Sequence, residues 1–162
     1  MITFNADEVF EMAEQIERNG AAFYRAAAAN LQADELKGVL LELAGMEDDH
    51  QKTFHDMRLA LPPRERTEER FDPTGEGALY LHAMVQGRVF DPKAEPAGKL
   101  VGSEQPAEIF KTAIEMEKNS IVFYLTVKKM ILGDDVHKRV DAIIEQEMGH
   151  VATLSKQLAA LG

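Results

Sequence analysis

The sequence predicts an all-α protein, a four-helix bundle built from two helical hairpins joined by a long crossover that contains a short helix. Three observations lead to that class. All six prolines (Pro62, Pro63, Pro73, Pro92, Pro96 and Pro106) fall between positions 62 and 106, so the flanking segments lack the residue that breaks helices. Apolar residues in those segments recur every three or four positions, the spacing of one helix face. The chain also repeats itself at an offset of 100: Glu17, Tyr24, Glu47 and His50 return as Glu117, Tyr124, Glu147 and His150. Glu8, Phe10, Ala13, Asn19, Phe23, Asp34 and Thr53 shift by the same amount, which marks a duplicated hairpin.

The first helix is expected from about Ala6 to Leu31, opened by Asn5 with Glu8 three residues on, a capping-box pattern. Its core stripe reads Phe10, Ala13, Glu17, Gly20, Tyr24 and Leu31. The second helix should follow Asp34 and end before Pro62, with Leu36, Leu40, Leu43, Glu47, His50, Phe54, Met57 and Leu61 on one stripe. The third should start at Pro106, since proline suits the first helical position, and Glu108 reinforces its first turn. The fourth should follow Asp134 and reach Leu161. Its stripe holds Val136, Val140, Ile143, Glu147, His150, Leu154 and Leu161, with Gln157 a polar intruder.

Residues 1–162 are expected to form one domain, with 1–61 the first hairpin, 62–105 the crossover and 106–162 the second hairpin. Within the crossover, Ala78 to Phe90 should form a short helix followed by an apolar anchor. The short links at 32–34 and 132–134 imply antiparallel pairs. The long one lets the second and third long helices run parallel, and it also has the reach to exchange halves between two subunits.

Charge and composition exclude several function classes. A net charge of −10 argues against a nucleic-acid partner. No stretch approaches a membrane span and no leader-like start is visible, so a cytoplasmic location is expected. The chain has no cysteine, which removes disulfides, thiolate nucleophiles and sulfur-held iron centres. Electrons for any redox step must come from an external donor.

The chemistry sits on the core stripes. With 18 glutamates in 162 residues, about one histidine in nine has a glutamate three residues earlier by chance, so one Glu-x-x-His pair means little. Here four glutamates and two histidines take positions where a bundle wants leucine, and an unpaired buried carboxylate costs several kcal/mol. Each glutamate lies near the middle of its helix, so all four fall at one level of the bundle. Glu17, Glu47, His50, Glu117, Glu147 and His150 thus form a ligand set for two metal ions. Tyr24 and Tyr124, two turns from a site glutamate, can hydrogen-bond a ligand carboxylate from a neighbouring helix. Glu14 is either an extra ligand or a solvent-facing residue. Glu115 and Glu145 should point outward, and His55, His82 and His137 should be surface groups.

The two single glutamates with two Glu-x-x-His pairs resemble the ferritin-like di-iron carboxylate superfamily. The likeness of the halves, the motif EKNSIVFY at 117–124 and the long crossover are most similar to the rubrerythrin group. That resemblance implies a ferritin-like bundle in which Glu47 and Glu147 bridge the metals. Each metal then adds one histidine and one terminal glutamate, Glu17 or Glu117. It also implies two iron ions as cofactor, a place that manganese or zinc could take, and a role in oxidative stress. The expected activity is reduction of hydrogen peroxide or dioxygen with electrons from an external donor protein, in a homodimer. The alternative is an iron-handling ferroxidase. Rubrerythrins typically carry a four-cysteine rubredoxin domain and an extra glutamate where this chain has Ile114, and both are missing here. Twelve residues follow His150, few for the fifth helix of a bacterioferritin cage.

Overall fold

The computed structural model describes residues 5–67, 76, 79–80, 104–131 and 133–162. Its long helices are α1 (Ala6–Asn30), α2 (Asp34–Leu59), α4 (Pro106–Met130) and α5 (Asp134–Ala160), with a short α3 (Pro63–Thr67) after the first hairpin. This element order agrees with the all-α bundle that the sequence predicts.

Local chemistry sets the helix ends. The Asn5 side chain accepts from the Glu8 N–H at 2.9 Å while Glu8 accepts from the Asn5 N–H at 3.0 Å, closing the capping box of α1. Pro106 takes the first position of α4, and the Glu108 carboxylate accepts from the Gln105 N–H at 2.9 Å. Asp34 and Asp134 lie inside the first turns of α2 and α5 rather than ahead of them. There the free N–H groups favour an acid, and the first turns close instead on the carbonyls of Ala33 and Gly133. Gly133 has φ of +132°, which an L side chain would strain to adopt, whereas its counterpart Ala33 has φ of −76°.

Two departures from expectation concern the ends of the hairpins. Leu161 is 40% exposed because α5 stops at Ala160, beyond the last packed turn, and Leu158 packs against the core instead. The short α3, opened by Pro63, has no counterpart in the expected elements. The Arg66 side chain reaches back from it and donates to the carbonyls of Leu59 and Leu61 at 2.7 and 3.2 Å, at the C-terminal end of α2. The helix expected between Ala78 and Phe90 falls mostly outside the described residues, of which Leu79 and Tyr80 are helical.

Two apolar layers lie on either side of a polar level. One joins Phe10 of α1, Phe54 of α2, Phe123 and Val127 of α4 and Val140 of α5. The other joins Phe23 and Ala27 of α1, Leu40 and Leu43 of α2, Phe110 of α4 and Leu154 of α5. The first layer thus takes the C-terminal halves of both α2 and α4, so those helices run parallel. Each hairpin is antiparallel, so α4 begins at the opposite end of the bundle from the end of α2. Burying an aromatic of this kind contributes roughly 1.5–3 kcal/mol, and Phe10, Phe54, Phe110 and Phe123 are all essentially buried. None of the helices is long and apolar enough to cross a membrane, among the described residues.

Candidate metal centre

Between the two layers, each long helix contributes its central glutamate: Glu17 from α1, Glu47 from α2, Glu117 from α4 and Glu147 from α5. His50 and His150 follow Glu47 and Glu147 by one turn and share their faces. All six are nearly or wholly buried, with exposures between 0% and 3%.

Their polar atoms converge. The Nδ1 of His50 lies 3.1 Å from Glu147, 3.8 Å from Glu17 and 4.0 Å from Glu47. The Nδ1 of His150 lies 2.9 Å from Glu147, 3.1 Å from Glu47 and 3.4 Å from Glu117. The two rings stack with centroids 5.5 Å apart and planes 19° from parallel. Two four-residue groups result, Glu17–Glu47–His50–Glu147 and Glu47–Glu117–Glu147–His150, each with ligand atoms within 4.8 Å of one another. Glu47 and Glu147 belong to both groups, as bridging carboxylates would.

The donor set fits two divalent cations. Six atoms at the centre of the cluster are buried without a properly directed hydrogen bond: Glu17 Oε2, Glu47 Oε1, His50 Nδ1, both Glu147 oxygens and His150 Nδ1. Such atoms normally find partners, and a pair of cations satisfies them together while neutralising four carboxylates.

Without cations the cluster holds itself with protons. Burial, then the Glu47 and Glu147 charges, pushes the Glu17 carboxyl well above its usual range. Burial likewise raises Glu117 to about 7, against the pull of His150. Burial lowers the histidines, but the carboxylates around them prevail: His50 is raised, and His150 reaches about 12. Glu147 is disfavoured as an anion by burial and by Glu47, yet its two histidine neighbours hold it below the usual value.

Each tyrosine serves the opposite half. Tyr24 of α1 donates its O–H to Glu117, and Tyr124 of α4 donates to Glu17. Burial first, and then those glutamates, push the pKa of both phenols well above the ordinary value, so they remain donors. Glu17 therefore has Oε1 fixed by a phenol and Oε2 turned to His50, whereas in Glu117 the phenol-bonded Oε1 is also the oxygen 3.4 Å from His150 Nδ1.

Glu14 meets neither expectation. It is 3% exposed, not solvent-facing, and it lies outside both ligand groups. Arg18 at 3.2 Å, Arg58 at 3.5 Å, Gln51 at 3.3 Å and His55 at 3.4 Å hold its carboxylate in the α1–α2 groove. Glu115 and Glu145 are exposed as expected. The His55 side chain is half exposed, whereas His137 is partly buried, with Nε2 2.7 Å from the Ile131 carbonyl that ends α4. His82 lies outside the described residues.

Two contributors escape the spacing argument. A small, partly enclosed cavity between α1 and α4, lined by Ile16, Asn19, Gly20 and Ser120, reaches Glu47 and Glu117. A Cβ at Gly20 would sit 3.2 Å from Glu47 Oε2 and 3.3 Å from its Cγ, so glycine leaves that carboxylate its room. The other is Gln146, whose Oε1 lies 2.7 Å from His50 Nε2. The breaks in the repeat, Gly20 against Ser120 and Gln146 against Met46, were the available signals for both.

Comparison with known proteins bears on the family and the fold. The family model described as Rubrerythrin matches residues 8–158. A crystal structure from Thermotoga maritima, described as a candidate ferritin-like diiron-carboxylate protein, is similar over 100% of this chain and 99% of its own, with a TM-score of 0.74 and 22% identity. Among curated proteins none matches the chain.

Proposed function

The chain belongs to the rubrerythrin family, and from that premise we propose that its centre holds two iron ions and reduces hydrogen peroxide with electrons from an external donor. The observation that carries the reading is the pair of buried ligand groups sharing Glu47 and Glu147. Sharing keeps two cations close enough to act on one small molecule. Two ferrous ions held there would supply one electron each to peroxide, which with two protons would leave as two waters.

The residues around the cations have separate tasks. Glu17 with His50, and Glu117 with His150, would complete the two positions, with Glu47 and Glu147 shared between them. Tyr124 and Tyr24 orient the terminal glutamates and hold their own protons beside them. The cavity at Gly20 gives a molecule about the size of water or peroxide a way to Glu47 and Glu117. With no cysteine in these 162 residues, no sulfur-held relay lies within them, and sustained turnover depends on an added donor.

Single-turnover mixing tests the reading. The diferrous protein should be oxidised faster by hydrogen peroxide than by dioxygen, in one two-electron step, and continued consumption of peroxide should require an added reductant. Faster oxidation by dioxygen, with iron mineral accumulating on further additions, would replace this reading by the ferroxidase one.

A further inference from the structure

The repeat is broken beside the histidines. Gln146 on α5 stands one residue before Glu147, and its Oε1 takes the Nε2–H of His50 on α2 at 2.7 Å. The equivalent position on α2, one residue before Glu47, is Met46. A thioether is a weak acceptor, and Met46 is 37% exposed. Accordingly His150 Nε2 is buried with no hydrogen-bond partner among the described residues.

A bond on the far nitrogen changes what the near one delivers. With its proton fixed on Nε2, His50 presents the Nδ1 lone pair to the cluster, and its ring is held at one tilt. His150 has neither constraint. Its ring must select the same tautomer and orientation unaided, with Nε2 desolvated and unpaired.

We propose that Gln146 makes the two metal positions unequal, so that the position completed by His50 and Glu17 binds its cation more tightly than the one completed by His150 and Glu117. This rests on the two-metal reading above and deepens it, casting Gln146 as a positioning residue that acts through His50.

The test is a titration of the metal-free protein with Co2+, followed by visible absorption and calorimetry. Two steps are expected, separated by roughly tenfold or more, the scale on which partners of metal-bound histidines act. Gln146→Met should weaken the first step by a similar factor, and Met46→Gln should tighten the second. In the cobalt-loaded protein the His50 ring N–H should give a shifted proton resonance that exchanges slowly with solvent, and Gln146→Met should abolish it. Two equal steps in the unsubstituted chain, or a first step unmoved by Gln146→Met, would overturn this proposal alone. No cobalt binding at all would overturn the two-metal reading and this proposal with it.

Discussion

Six side chains that would each be costly in an apolar core become tolerable by meeting one another. Protonation does for the metal-free protein what cations would otherwise do, and that fixes its response to pH. Glu17, Glu117, His50 and His150 all have raised values in the folded state. Each contributes stability that is fully present below its unfolded value, near 4.5 for the glutamates and 6.5 for the histidines. That stability is lost as pH rises through the folded values, about 7 for Glu117 and about 12 for His150. Glu147 works the other way, and its contribution disappears only as pH falls below 4.5. The metal-free protein should therefore be more stable at about pH 5.5 than at about pH 9, measured by urea unfolding in the presence of a chelator. Equal or greater stability at the alkaline pH would show that the cluster is not held by protons. Cation affinity should move oppositely, since metals must displace the same protons.

The helices present these residues because an apolar stripe admits a glutamate at its centre without disturbing its period. That period was legible: Glu17, Glu47, Glu117 and Glu147, with both histidines, lie on the stripes that spacing assigned them. What the period could not reveal was anything depending on a neighbouring helix. Glu14 sits one turn before Glu17, and its burial depends on Arg58 and Gln51 of α2. Gln146 has an outward-leaning position and reaches His50 only because α5 lies beside α2. Helix ends were legible where a side chain caps, at Asn5, and shifted by one residue where a backbone carbonyl does, at Ala33. Two glycines test the difference between faces. Gly38→Ala on α2, where nothing lies within 4 Å of the new Cβ, should raise stability by about 0.5–1 kcal/mol and leave metal binding unchanged. Gly20→Ala makes the same chemical change against Glu47 and should weaken metal binding, read by the same Co2+ titration. Unaltered affinity in Gly20→Ala would mean that Glu47 is not required where the structure holds it.

The duplicated hairpin explains the molecule's symmetry. The two hairpins place one histidine and one terminal glutamate on either side of the shared Glu47 and Glu147, and the two sides differ where Gln146 meets His50. The parallel run of α2 and α4 brings the two halves face to face, so that Tyr24 and Tyr124 each reach across to the other half. The topology was legible from one long link and two short ones, whereas α3 was not, since five residues are too few to carry a periodic signal. The central claim is that the two halves close around a pair of cations. It is tested most directly by anaerobic reconstitution with ferrous iron, removal of unbound metal, and counting of iron per chain. Two ions per chain are expected, one for each ligand group, and a stoichiometry of zero or one after complete reconstitution would rule out a paired centre.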